Sequence, residues 1–555
     1  YEMLRSLVGS EMCIRDSRST TLLAAIIASC AMVLSLTACT SDNKTVVDGQ
    51  TTVTSNSAGG VAVFTPSDGI TLNQQTPLNK WAKLVPDLAK ALADAGFKKG
   101  DINHTTSDSL DKQSRAIQDF VVDHLSNNTT DDSGIAIAPD NMTLLVAPVV
   151  EADASTRQYG DYISQNLSTN DATDGEATSD GESSEDDSSK DDSSNTESDS
   201  TASDEQAQAV DRLVSSLKLA KESGMHVVLL GNSIEGYKPD AFVKFSDAQT
   251  IGKLQAEKMV SKLKLDKASK DNPKYIEVLL PYTAMDEKGN ANDSTFAQEA
   301  FRGIWQVLGS YYQKGVVESP SGTLDGKSTE NDWQAVAYDA AKEGSTAKVL
   351  DKRLAKTDGQ STLTRIDGII TMNDYIASEV VKELDDLGYT GSAADINPQI
   401  TISGIVGNIT GKKDLSRDAV PDPIKSPEND NANDSSSSDD DADEDTSASD
   451  KDRDSQWPLV TGYGAYVSNI PSIVNGKQWM TGMEDRQTIA TDIAQACAKL
   501  NKDEALNSMP SIRNSEVGGV KKIPTISEPL LAVSASNLKS ALIDPGYISL
   551  ADAGL

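Results

Sequence analysis

Asn373 and Asp374 close a short apolar run and set a planar amide beside a carboxylate. Such a pair can exchange hydrogen bonds with the hydroxyls of a polyhydroxylated molecule, and it can equally cap the helix that starts after it. Trp81 offers a flat ring, able to cover the C–H face of a sugar or to fill a core as the first apolar residue of its own helix. Arg302 carries a fork that can grip hydroxyls or a carboxylate, or form a structural ion pair.

Catalytic patterns are missing. His104, His124 and His226 are scattered, and none has the spacing of a metal ligand. Gly322–Ser328 falls one residue short of a phosphate-cradling loop and leads into Thr-Glu-Asn-Asp instead of an apolar helix start. No Gly-x-Ser-x-Gly elbow occurs. The expectation is a binder and not an enzyme, with no cofactor and no metal.

The elements that must position these residues alternate. Val61–Thr65, Thr143–Pro148, Met225–Gly231, Tyr275–Leu280, Asp367–Met372 and Gln399–Ile405 read as buried strands. Between them, 81–97, 113–125, 210–223, 251–263, 295–308 and 375–387 read as helices; the first sets Trp81, Leu84, Val85, Leu88 and Leu92 on one face before Gly96 stops it. Strands alternating with helices of about a dozen residues imply βαβ units around parallel sheets, an α/β fold.

Arg18, the apolar run 22–36 and Leu36-Thr37-Ala38-Cys39 have the form of a secretory signal peptide over 18–38. Cysteine after Leu-Thr-Ala resembles a bacterial lipobox, which implies two acyl chains on Cys39 and a stable anchor in the cell membrane. Residues 1–17 resemble translated adapter sequence and not native protein, and 39–60 reads as a flexible tether. Cys497 then stands as the one remaining thiol, so stability must come from a large core and not from disulfides.

The net charge of −35 is concentrated. Residues 171–205 hold 14 acidic and one basic residue, and 427–455 hold 12 acidic and two basic. Both are poor in apolar residues and read as disordered insertions. The remainder is mildly acidic with no basic stripe, which argues against a nucleic-acid partner.

Several segments, in order, resemble the xylose-binding branch of type I periplasmic solute-binding proteins. Leu217–Leu230 (LKLAKESGMHVVLL) matches that family's helix, glycine turn and strand. Phe245–Ala256 resembles its first hinge and the helix after it, Phe301-Arg302 its Phe-Arg, Met372-Asn373-Asp374 its Ser-Asn-Asp, Asn475–Thr481 its Gly-Thr-Gln-Thr-Met-Thr, and Ile523–Ser549 its closing segment. The resemblance implies two lobes, each a parallel sheet flanked by helices, joined by crossing strands and closing over a ligand. It implies 61–245 plus 404–500 in lobe 1 and 246–403 plus 510–555 in lobe 2, with Lys244–Asp247 and Ile402–Gly404 among the hinge strands. It further implies Asp68, Trp81, Asn232, Arg302, Asn373 and Asp374 as ligand contacts, and as partners a small polar solute, a sugar by class, and a membrane ABC permease. The departures are specific. Gly231-Asn232 replaces the family's Asp-Arg, its paired asparagines fall near Phe296 and Ala297, and Met483-Glu484 replaces its Tyr-Lys. Polar positions have turned apolar or changed sign, so a pentose does not follow. The second reading is a surface sensor or docking protein on the same lobes.

Overall fold

The computed structural model describes residues 58–67, 77–127, 137–150, 156–169, 197–285, 293–340, 342–355, 363–394 and 455–555. Along the chain the principal elements are β1 (Gly60–Pro66), α1 (Trp81–Asp94), β2 (Ile102–Ser107), α2 (Leu110–Asn127), β3 (Met142–Val146), α3 (Glu197–Glu222), β4 (His226–Leu230) and β5 (Ala241–Lys244). After a first crossing come α4 (Ala248–Leu263), β6 (Lys274–Val278), α5 (Thr295–Gln313), β7 (Val317–Glu318), α6 (Ser345–Arg353), β8 (Gly368–Ile370), α7 (Asp374–Leu387), β9 (Leu459–Tyr463) and β10 (Met480–Met483). The last are α8 (Arg486–Leu500), β11 (Ile512–Val517), β12 (Val520–Ser527) and β13 (Leu531–Ser534).

These build two sheets. The first runs β11-β12-β5-β4-β3-β1-β2 and is parallel except for the β11–β12 hairpin. Alternation along its strands covers both faces. Val61, Val63, Leu145, Val228 and Leu230 pack toward α1 and α8, while Ala62, Phe64, Leu144, Val227 and Leu229 pack toward α2 and α3. A parallel sheet buried on both sides demands such continuous apolar runs. The second sheet runs β7-β6-β8-β9-β10-β13, with only β13 antiparallel. It is joined to α4, α5 and α7 in a second core. No helix among the described residues is long and apolar enough to cross a membrane.

The expected α/β class with two sheet groups is what the chain adopts, but the division of the chain differs. β9 pairs with β8 and β10 with β9, so 459–483 belongs to the second lobe and not to the first. β12 pairs with β5, so 512–527 belongs to the first lobe and not to the second. Of the described part of the proposed 404–500 block, α8 alone joins lobe 1, packing on α1. The chain therefore passes between lobes at Lys244–Ala248, Glu484–Arg486 and Ser527–Leu531. Ile402–Gly404 and Gln399–Ile405 lie outside the described residues.

Two other boundaries move. Residues 197–205 of the first acidic tract begin α3. The rest of that tract, 427–454 of the second, and residues 1–57 with Cys39 lie outside the described residues. The expected tether ends early, because Asn501 Nδ2 donates to the carbonyls of Ala58 and Gly60 at 3.0 Å each.

Candidate functional site

In open α/β sheets the carboxyl ends of the strands, with the loops that leave them, form the binding edge. On the first lobe these loops include 147–150, Thr156–Leu167 and Gly231-Asn232; on the second they include Thr371–Asp374 and Gly464–Tyr466. The second lobe stores backbone strain there. Met372 (φ 68°) and Ala465 (φ 50°) hold left-handed conformations that residues with a Cβ seldom adopt. Both precede side chains or amides committed to Asp374 and its neighbour.

Asp374 is fully buried. It accepts from Gln478 Nε2 at 2.7 Å, from the Tyr466 amide at 2.9 Å and from Thr481 Oγ1 at 2.9 Å. Burial pushes its carboxyl up to about 6, against the pull of those donors. Asn373, also fully buried, caps α7 by accepting from the Ile376 amide at 2.9 Å. Its Nδ2 donates to Gln158 Oε1 at 3.0 Å. Both residues anchor the floor of the second lobe instead of presenting free groups to solvent.

Asp374 is held by residues of its own lobe, whereas Asn373 meets the segment 156–167, which leaves the first lobe and lies across the line between lobes. Tyr159 belongs to the second lobe's core, with its ring 4.6 Å from Phe296 and 6.2 Å from Tyr463. Tyr466 Oη donates to the Gln158 carbonyl at 2.7 Å. On the other side Tyr162 stacks on Phe245 at 4.7 Å and meets Trp81 edge-on at 5.0 Å. Asp161 accepts from Lys80 Nζ at 2.7 Å and from the Trp81 amide at 3.0 Å.

The remaining candidates follow from this packing. Trp81 is buried against Tyr162 and Phe245, a core residue of lobe 1. Asn232 is buried, donating to the Pro148 carbonyl at 2.9 Å and accepting from the Gln165 amide at 3.0 Å. Arg302 pairs with Glu299 one turn before it on α5. Asp68 lies outside the described residues.

What stays open is a cavity of about 430 Å³. The 156–167 segment supplies Thr156 and Ile163–Asn166, the first crossing Asp247, Ala248 and Gln249, and the start of α5 Asp293, Thr295, Phe296 and Glu299. It thus has three amides, three carboxylates, hydroxyls and one aromatic ring, and no basic side chain lines it among the described residues. Burial pushes the Asp247 carboxyl up, but hydrogen bonds from Thr250 and Lys244 outweigh it and leave the group below its ordinary value, hence ionised. None of the five described candidates lines this cavity; Asn232 holds Gln165 in its wall and Arg302 holds Glu299. The sequence reading missed Gln165, Asn166, Asp293 and Glu299. Phe296 alone had a signal, standing where the resemblance places a ligand-binding asparagine.

Behind the cavity, at the hinge, Glu484 of the second crossing is fully buried. It accepts from the Ser246 amide of the first crossing at 2.7 Å, from Ser246 Oγ, and from Tyr463 Oη at 3.5 Å. Burial pushes its carboxyl up to about 7.

No family model matches the chain, and no curated protein matches it. Among solved structures, it is similar to an ABC transporter solute-binding protein from Clostridium phytofermentans with bound β-D-glucose, at 16% identity and a TM-score of 0.43, over 89% of this chain and 99% of that one. A carbohydrate transporter solute-binding protein from Chloroflexus aurantiacus in complex with D-glucose gives 17% identity and a TM-score of 0.43, over 90% and 98%. A periplasmic ribose ABC transporter protein from Conexibacter woesei gives 13% and 0.41, over 88% and 96%.

Proposed function

We propose that this chain is the extracytoplasmic solute-binding component of an ABC importer, held to the membrane by lipid on Cys39, and that it captures a small polar solute, a carbohydrate by class, between its lobes. The observation that carries the reading is the cavity walled by both lobes and by the first crossing strand. Its volume lies in the range of small-molecule sites, roughly 300–1,000 Å³. Amides and carboxylates match hydroxyls, and Phe296 offers a face for ring C–H groups. Solute touching both lobes would favour the closed arrangement, which a permease can read.

A thermal-shift screen over neutral mono- and oligosaccharides tests it. A solute at a hundred times its Kd adds about 2.7 kcal/mol of stability. Phe296→Ala and Gln165→Ala are expected to abolish most of that shift. A flat response across the panel would overturn the reading. It would favour the second one, a sensor or docking protein, which draws its support from the deep part of the cleft being filled by 156–167.

A further inference from the structure

We propose that Thr156–Leu167 is a strap that holds the lobes together in the solute-free protein, taking the deep part of the cleft for itself and leaving solute only the cavity beside it. The proposal rests on the two-lobed cleft described above and not on the identity of any solute. Three observations carry it. The strap is anchored on both sides: Asp161 and Tyr162 grip Lys80, Trp81 and Phe245 in lobe 1, while Gln158 and Tyr159 grip Asn373, Tyr466 and Phe296 in lobe 2. It takes up two polar groups at the second lobe's strand ends, Asn373, which the resemblance places on the ligand, and the Tyr466 hydroxyl. The side-chain amide of Gln158 is the partner of Asn373, and its backbone carbonyl is the partner of the Tyr466 hydroxyl, as a bound solute's oxygens would be. Its far end is a wall of the open cavity through Ile163–Asn166, so its position sets the size of what can enter.

The physical consequence follows. A cleft of this kind ordinarily opens when empty, because its polar walls prefer water to one another. Here Tyr159 is buried among second-lobe residues with 1% of its surface exposed, so opening must pull an aromatic ring out of an apolar core. Closure is prepaid by the chain itself.

Hydrogen exchange read by mass spectrometry on the full chain, without added solute, tests this through three variants. Tyr159→Ala removes the anchor, while Gln158→Ala and Tyr466→Phe each remove polar contact on one side. In Tyr159→Ala we expect exchange over 158–166 and 464–466 to rise on the order of a hundredfold, as for a region that has lost a buried aromatic side chain. Smaller rises are expected in the two milder variants, and protection within β4 and β8 should persist in all three. X-ray scattering should give a larger radius of gyration for Tyr159→Ala than for the parent. Two outcomes overturn the proposal. One is strap amides that already exchange at free-peptide rates in the parent. The other is variants that leave the two contact regions unchanged or speed exchange equally throughout both sheets, which would make Tyr159 ordinary packing. A failed sugar screen bears on the function and leaves this result standing.

Discussion

Replacing Glu484 with glutamine isolates the electrostatics of the hinge. The carboxyl joins two crossing strands through Ser246 and has no cation against it among the described residues; its other neighbours are Tyr463 and, at longer range, the like-charged Asp247. Its value of about 7 in the fold stands above the ordinary 4.5. A carboxyl raised by folding is protonated in both states below about pH 4.5, where it costs nothing. Between there and about 7 the folded state alone retains the proton, so stability falls as pH rises, and above 7 the full cost of a buried charge is present. The shift corresponds to about 3 kcal/mol. Glutamine keeps the acceptor oxygen for Ser246 and drops the charge. Glu484→Gln should therefore melt with the parent near pH 4.5 and above it at pH 8, by roughly 6 °C at about 2 °C per kcal/mol. Tryptophan fluorescence melts at half-unit pH steps supply the measurement. Equal melting temperatures at pH 8, or a variant less stable there than the parent, would refute the argument from burial.

Two further outcomes are expected. Asp374→Ala strands the Tyr466 amide, Thr481 and Gln478 without their acceptor, and should lower stability by about 3 kcal/mol in urea titration at pH 7, whether or not sugar is present; a loss seen only in solute affinity would return Asp374 to the binding wall. Sugar acids and sugar phosphates should give no thermal shift at concentrations where a neutral sugar does, because Asp247, Asp293 and Glu299 line the cavity while, among the described residues, no basic side chain does, Lys244 and Arg302 being paired with Asp247 and Glu299 from outside the wall; an anionic ligand that binds as well as a neutral one, competing for the same site, would contradict this.

The elements were legible wherever burial repeats with a local period. Trp81, Leu84, Leu88 and Leu92 mark α1, and the apolar runs of β3 and β4 mark strands covered on both faces. β2 (INHTTS) escaped because it is the sheet's edge and four of its six residues are exposed, so no apolar pattern is required of it. Residue types were legible too: an amide, a carboxylate and an indole at Asn373, Asp374 and Trp81 are of the kinds that sugars meet, though the fold buries all three.

Their environment was not legible. Whether Asn373 faces solute or Gln158 depends on a segment 215 residues away in sequence. Whether 459–483 joins one sheet or the other depends on pairing with β8, and whether 512–527 does depends on β5. Local periodicity records which faces must leave water, and a sequence carries that residue by residue. Which buried face meets which, and what fills the gap between two lobes, is settled by contacts among distant segments that compete for the same partners, and only the folded chain decides that competition.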